Sequence, residues 1–165
     1  MQNNRKSLLE IFCKRLGYQF TQSELLNEAL THRSYSAAHN ERLEFLGDSV
    51  LNCAIAGLIY KHFPELTEGH LSRLRANFVN QQALCDLALN LELDQLIRLG
   101  EGELRSGGCS RPSILANALE AVLGAIYLDS DFVKAEAVIA TLYSSMLDNI
   151  DFKTQGKDPK TLLQE

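Results

Sequence analysis

Apolar residues recur along most of the chain at spacings of three and four, which is the period of an amphipathic α-helix. No long segment alternates apolar and polar residues with period two, so the pattern predicts an all-α domain. Apolar positions and capping residues together set the predicted helix bounds. The predicted helices cover residues 6–16, 21–30 (capped by Thr21 or Ser23), 40–62, 67–78 (capped by Thr67), 79–91, 112–128 and 131–146 (capped by Asp131).

The third predicted helix carries three carboxylates at spacings of three and four, Glu41, Glu44 and Asp48. At about 100° per residue, they fall within a wedge of roughly 60°. Like charges at such spacings destabilise a helix by a few tenths of a kcal/mol per pair. The cluster therefore indicates a function, and binding of a divalent cation is the simplest one. A solvated helix face with ordinary acids is the alternative, and the pattern alone does not choose between them.

One aromatic residue of this helix, Phe45, does not lie on its predicted core-facing side. That side is formed by the apolar residues roughly opposite the acids, which are Leu43, Leu46, Val50 and Ala54. Phe45 instead projects near the carboxylate edge, where a monomer would leave it in water. Its placement is either incidental or that of an interface anchor.

A second acidic position comes from the helix predicted over 112–128. Asn117 and Glu120 are three residues apart and therefore share one face of that helix. If the two acidic helices pack side by side, the four residues that surround one cation are Glu44, Asp48, Asn117 and Glu120. Mg²⁺ prefers a few hard oxygen ligands and keeps several waters, which suits this set. For Glu120 alone, an ordinary surface acid is the alternative.

Other polar positions carry weaker signals. Glu68 follows Thr67 at a predicted helix start, where a negative charge is favoured by the helix dipole. The segment 105–111 combines arginines and glycines ahead of a helix, so it either approaches phosphates or is a plain loop. The histidines lack the spacing of metal ligands and are interpreted as surface or structural residues: His32, His39, His62 and His70.

Composition narrows the class of protein without deciding the function. The 165 residues suit one domain, 45% of them are hydrophobic, and no run of 18 apolar residues predicts a membrane span. Lysine and arginine number 16 against 21 acids, and the net charge of −5 argues against a nucleic-acid binder unless several acids bind a cation. The four cysteines form no C-x-x-C pair, so we interpret them as reduced thiols of a cytoplasmic protein.

The chain divides into two parts on composition. Residues 1–151 form the predicted domain, and residues 152–157 are mostly polar, like a linker. Asp158 and Pro159 then provide an N-cap and a first-turn proline ahead of two leucines, which is typical of a helix start. We expect 152–165 to be a linker and the first residues of a further domain; a frayed terminal helix is the alternative.

The stretch from Glu41 to Leu51, ERLEFLGDSVL, resembles the signature of bacterial ribonuclease III. The resemblance covers nearly the whole chain in order, through the shorter stretches 30–34, 68–75, 102–104, 106–108 and 113–124. Residues 158–165 are similar to the opening of the C-terminal double-stranded-RNA-binding domain of that family.

This resemblance implies a homodimeric all-α endonuclease domain that cleaves double-stranded RNA with Mg²⁺, or with Mn²⁺ as a substitute, during rRNA and mRNA processing. The metal-binding positions of the family match Glu44, Asp48, Asn117 and Glu120. Asp48 and Glu120 are the implied catalytic residues. Glu41 and Glu68 match acidic positions with supporting or RNA-positioning roles. Phe45 matches the aromatic residue that docks into the other subunit.

Asn117 departs from the family, which usually carries an aspartate there. The amide oxygen still accepts a hydrogen bond or coordinates weakly, but the negative charge is lost. The attraction between two unit charges about 4 Å apart is on the order of 4 kcal/mol at an effective dielectric of about 20. We therefore expect weaker metal binding and slower cleavage, without loss of the fold. The rival hypotheses are a non-catalytic dimeric RNA-binding domain and a helical scaffold whose acidic face has no function.

Overall fold

The computed structural model describes residues 2–154, with side chains over residues 4–150. Within that range the chain forms α-helices and short 3₁₀ turns without any strand, and an isolated bridge joins Thr31 to Arg98. The all-α prediction is confirmed. The helices are α1 (Gln2–Leu16), α2 (Ser23–Ala29), α3 (Glu41–His62), α4 (Glu68–Phe78), α5 (Gln81–Asn90), α6 (Glu101–Arg105), α7 (Pro112–Asp129) and α8 (Phe132–Thr154). The 3₁₀ turns are Leu93–Gln95 and Gly108–Ser110.

Helix α7 lies in the core of the domain. Between Ile114 and Ile126 every residue is buried except Asn117 and Glu120, which are partly exposed. A helix that is apolar on nearly all sides packs inside a protein. The two polar positions therefore mark the place where solvent reaches an otherwise buried helix.

Helix α3 packs against α7, α4 and α8. By length and composition alone it could cross a membrane, with 22 residues and a mean hydropathy of 1.3, and no other helix of the described range meets that test. Its predicted core-facing residues Leu43, Val50 and Ala54 are buried, while Leu46 is partly buried. Its apolar composition follows from this central packing, as in the core helix of a globular domain.

The start of α2 is capped differently from the prediction. Neither Thr21 nor Ser23 provides the cap; Gln22 occupies the N-cap position, and its side chain forms no capping hydrogen bond. The carboxylate of Asp129, at the end of α7, instead accepts the backbone N–H groups of Thr21 at 2.9 Å and Gln22 at 2.8 Å. It also accepts the Tyr18 hydroxyl at 2.8 Å. The prediction was wrong because the capping group lies more than a hundred residues away in sequence.

Two other predicted caps have different outcomes. Thr67 occupies the N-cap of α4 but forms no capping hydrogen bond, because its hydroxyl pairs with His70 Nδ1 at 2.8 Å. Asp131 caps α8 as predicted, since its Oδ1 accepts the Lys134 N–H at 2.8 Å. Local sequence thus identified both positions but only one of the two hydrogen bonds.

Some helix bounds also differ from the prediction. The glycine-rich segment 100–108 contains α6, whose five residues are too few to show a helical period. Helix α8 continues past Met146 to Thr154, so residues 152–154 of the predicted linker are helical. The predicted helix start at 158–165 lies outside the described residues.

Candidate active site

A cavity of about 810 Å³ opens beside the place where α3 and α7 meet. The residues predicted for the site that line this cavity are Glu41, Glu44, Asp48, Asn117 and Glu120. Phe45 also lines it and is 78% exposed. The structure therefore brings the acidic faces of the two helices to one cavity, as expected if the two helices pack side by side.

Two glycines let the backbones of α3 and α7 approach each other. A Cβ atom on Gly47 would overlap the carbonyl oxygen of Glu120 and lie 2.5 Å from its carbonyl carbon. A Cβ atom on Gly124 would overlap the carbonyl oxygen of Leu43 and lie 3.0 Å from the Gly47 nitrogen. Because both positions lack a side chain, Glu44 and Asp48, on either side of Gly47, lie next to the polar face of α7.

The acids of the cavity perturb one another electrostatically. Burial, followed by the negative charges of Asp48 and Glu44, raises the pKa of Glu120 to about 7. Burial is also the main cause that raises the pKa of Glu44, with Glu41 and Asp48 adding to it. Clusters of mutually perturbed carboxylates in a cavity are typical of functional sites.

The donor atoms in the cavity suit a hard divalent cation. Carboxylates of Glu44, Asp48 and Glu120 and the amide oxygen of Asn117 are the oxygen ligands that Mg²⁺ prefers. A cation would also offset the repulsion that raises the pKa of Glu120. However, no three His, Cys, Asp or Glu side chains among the described residues form a ready-made metal site. Asp48 is held on its own helix, where Asn52 Nδ2 donates to its Oδ1 at 2.9 Å. The ligand assignment stays a prediction.

Glu68 does not line this cavity. It begins α4, and its Oε1 accepts the Ser72 hydroxyl at 2.6 Å. With Tyr60, it lines a separate groove between α3 and α4. Within one chain, therefore, Glu68 is not brought together with the other predicted acids, and its supporting role stays a prediction.

The cavity also contains polar residues that the sequence pattern did not place there. They come from the loop before α3, from α6 and from the start of α7, and they are His32, Arg33, Ser34, Asn40, Glu103, Arg111 and Ser113. Arg111, from the segment 105–111, pairs with Glu103 at 2.5 Å, and Arg33 pairs with Glu41 at 3.2 Å. The site thus combines an acidic centre, which suits a cation, with guanidinium groups that suit phosphate oxygens.

Comparison with known families shows to which family the chain belongs. Residues 22–147 match the family model described as ribonuclease-III-like. The chain belongs to the ribonuclease-III-like family. Every residue that lines the cavity falls within the matched range, so the cavity is part of the family domain.

Members of this family with curated names are similar to nearly the whole chain. The ribonuclease 3 of Cupriavidus taiwanensis is 60% identical over 157 residues, which cover 95% of this chain and 61% of that protein. The ribonuclease 3 of Nitrosomonas europaea is 61% identical over 155 residues, which cover 94% of this chain and 63% of that protein. The chain therefore spans about three fifths of the length of these relatives.

A solved structure supports the ribonuclease-III-like fold directly. The nuclease domain of ribonuclease III from Campylobacter jejuni superposes with a TM-score of 0.81 at 39% sequence identity. The match covers 83% of this chain and 96% of that one. That structure is described as showing structural flexibility in the region involved in dimer formation. The resemblance found in the sequence is confirmed at the level of family and fold.

Proposed function

We propose that this domain is a Mg²⁺-dependent endoribonuclease that hydrolyses phosphodiester bonds in double-stranded RNA. The observation that carries the proposal is the cavity lined by Glu44, Asp48, Asn117 and Glu120 in a chain of the ribonuclease-III-like family. The proposed natural substrates are rRNA and mRNA precursors, and the proposed compartment is the cytoplasm.

The proposed roles follow from the chemistry of each side chain. Glu44, Asp48 and Glu120 would hold the cation with carboxylate oxygens, and Asn117 would add a neutral amide oxygen. When bound, Mg²⁺ supplies a Lewis acid that acidifies water and offsets charge on the scissile phosphate. Asp48 and Glu120 are the proposed catalytic residues, because they line the cavity from the two different helices, and the reacting phosphate would lie between them. Glu41 has a supporting role at the rim, beside Arg33.

The proposed products carry 5′-phosphates and 3′-hydroxyls on staggered ends, so water rather than the ribose 2′-hydroxyl attacks the phosphorus. Double-stranded RNA is recognised mainly by its A-form shape, its phosphates and its 2′-hydroxyls. The guanidinium groups of Arg33 and Arg111 at the cavity rim suit the phosphates of such a duplex. An acidic domain therefore still carries two guanidinium groups at this rim, each paired with a carboxylate that a phosphate would have to displace.

We further propose that two copies of the chain form a homodimer through the exposed face of α3. Phe45 is 78% exposed and Tyr60, on the same helix, is 71% exposed. Aromatic residues are enriched in the buried centres of protein interfaces, which favours this face of the helix as the contact surface. The mainly apolar groove that contains Tyr60 and Leu71 suits an aromatic side chain from a second copy. Glu68 lines that groove, so docking of Phe45 there would bring Glu68 near the acidic cavity of the other copy.

Sedimentation of a Phe45→Asp variant tests the homodimer. We expect the wild-type chain to sediment as a dimer and the variant as a monomer, because a charge replaces the docking aromatic. Val133→Asp is the matched control, since Val133 is 69% exposed on α8 and lies on neither surface. A dimeric Phe45→Asp variant would refute this interface.

A non-catalytic RNA-binding domain is the second candidate function, and Asn117 favours it because one ligand charge is missing. Incubation of the purified chain with long duplex RNA, with and without Mg²⁺, separates the candidates. Cleavage that depends on Mg²⁺ supports the nuclease, and retention of intact RNA supports the binding domain. If the RNA is neither cleaved nor retained, and Mg²⁺ does not change the stability of the protein, the result supports a scaffold.

Two substitutions make this experiment specific to the cavity. Glu120→Gln removes a proposed ligand charge at nearly constant volume, so we expect cleavage to fall by at least about a hundredfold. Glu65→Gln removes a charge from an exposed acid outside the cavity and should leave cleavage unchanged. Equal activity of the two variants would refute the assignment of the cavity as the active site.

A further inference from the structure

His32 lies in the acidic cavity with one ring nitrogen fully engaged. The sequence indicated only a surface or structural residue, but the side chain lines the cavity together with Glu41 and Glu44. Its Nδ1 lies 3.2 Å from the backbone nitrogen of Ser34 and 2.8 Å from the Ser34 hydroxyl oxygen. The position of the imidazole is therefore set by two contacts from one residue.

These contacts determine which nitrogen of His32 carries the proton. A backbone N–H group can only donate, so Nδ1 must accept the hydrogen bond from Ser34 N. The Ser34 hydroxyl oxygen accepts the Gly100 N–H at 3.0 Å, which leaves its own hydrogen to donate to Nδ1. Rotating the ring by half a turn would place a carbon against both donors. The neutral ring therefore carries its hydrogen on Nε2.

The backbone around His32 and Ser34 is held by a distant segment. The His32 N–H donates to the Arg98 carbonyl at 3.0 Å, and the Arg98 N–H donates to the Leu30 carbonyl at 2.8 Å. A Cβ atom on Gly100 would overlap the Ser34 carbonyl oxygen, so only glycine allows this close packing. The backbone that carries His32 and Ser34 is thus fixed by its contacts with the segment 98–100.

The Nε2–H group has no hydrogen-bond partner among the residues that the structure describes. Burial also favours the neutral ring, because it lowers the pKa of His32 against the opposing charge of Glu103. A neutral donor in this place can bind a phosphate oxygen without adding positive charge beside a cation site.

We propose that His32 contacts the substrate by donating its Nε2–H to a phosphate oxygen of the RNA backbone. This inference rests on the proposed nuclease function and adds a residue to it. Ser34 and Gly100 act as positioning residues, because they hold the ring in the tautomer and orientation that this contact requires.

Two amide substitutions at position 32 separate substrate contact from a structural role. In His32→Asn, the side-chain oxygen replaces Nδ1 as the acceptor from Ser34, but the donor at Nε2 is lost. In His32→Gln, the side-chain nitrogen reaches the place of Nε2 and keeps the donor. Substrate contact therefore predicts that Gln retains activity and Asn loses it, whereas a structural role predicts the reverse order.

The measurement is kcat/KM for cleavage of a short RNA duplex, with melting temperatures recorded for both variants. We expect His32→Asn to lose about ten- to a hundredfold, as for a hydrogen bond to a charged group, and His32→Gln to stay within about fivefold of wild type. Any outcome in which Gln is not more active than Asn overturns the proposal.

The test also distinguishes failure of this inference from failure of the proposed function. If the wild-type chain cleaves no duplex RNA, the nuclease proposal fails, and duplex affinity in EDTA is compared for the same two variants with the same expected order. Nitrogen-15 NMR of the histidine ring provides a readout without substrate. A spectrum with the proton on Nδ1 would overturn the proposal.

Discussion

Replacing Gly47 with alanine should separate the two central helices. The new Cβ would overlap the Glu120 carbonyl oxygen and lie 2.5 Å from its carbonyl carbon, whereas ordinary contacts begin near 3.4 Å. The neighbouring atoms belong to the backbone of another helix, so no flexible side chain can move aside. Relief of the overlap therefore requires α3 and α7 to shift apart by roughly 1 Å or more.

Overpacking of a core usually costs about 1–3 kcal/mol, and a clash between backbones belongs at the upper end of that range. For a domain of this size, about 3 kcal/mol corresponds to a fall in Tm of roughly 6–12 °C. The shift also moves Glu120 away from Glu44 and Asp48. A displacement of about 1 Å at reacting groups can cost about a hundredfold in rate, so we expect cleavage to fall even in the fraction that stays folded.

Gly57→Ala is the matched control on the same helix. Its Cβ would meet only Glu136 Oε1, at an ordinary 3.7 Å. Alanine is the better helix former by about 0.5–1 kcal/mol, so this variant should be as stable as wild type or more stable. Thermal unfolding followed by circular dichroism gives the comparison. Equal Tm values for Gly47→Ala and Gly57→Ala would refute the close approach of the two helices.

Three further predictions concern single charges. Asn117→Asp should lower the Mg²⁺ concentration for half-maximal cleavage by at least about tenfold, because it restores a ligand charge; equal metal dependence would contradict this. The folded-state pKa of Glu120 is raised to about 7 from an ordinary 4.5. Its protonated form therefore stabilises the cation-free protein at pH 5, and that contribution is lost as the pH rises through 7, by on the order of 1–2 kcal/mol after allowing for solvent screening. Urea unfolding in EDTA at pH 5 and pH 8 should show this loss for wild type but not for Glu120→Gln, and equal pH dependence would disprove it. Asp129→Ala should destabilise the domain by about 2 kcal/mol in urea unfolding, because three donors around the start of α2 lose their acceptor. Asp148→Ala, on an exposed face, is the control and should not change the stability. Equal stability of the two variants would show that the cap contributes nothing.

The long helices could be predicted from sequence because they repeat the apolar period several times. The predicted bounds of α3 and α7 agree with the structure to within one residue. The five residues of α6 are too short for such a signal. The cap of α2 could not be found, because Asp129 is distant in sequence and reaches the helix only through the folded core.

The candidate site was predictable only in part, for a related reason. Spacing placed Glu44 and Asp48 on one helix edge and Asn117 and Glu120 on another. Whether those edges meet depends on the contact between helix backbones at the glycines, which is a property of the packed pair. His32 was missed because Ser34, which holds its ring, is itself placed by contacts with a segment more than sixty residues away.

The two walls of the cavity differ in what holds them in place. One wall is the contact between α3 and α7, so changing the separation of its carboxylates means opening the centre of the domain. The other wall includes the loop 32–40 and the segment around α6, whose residues are mostly exposed and form little regular helix. Amide hydrogen exchange should therefore be slowest on the carboxylate side and faster on the opposite side.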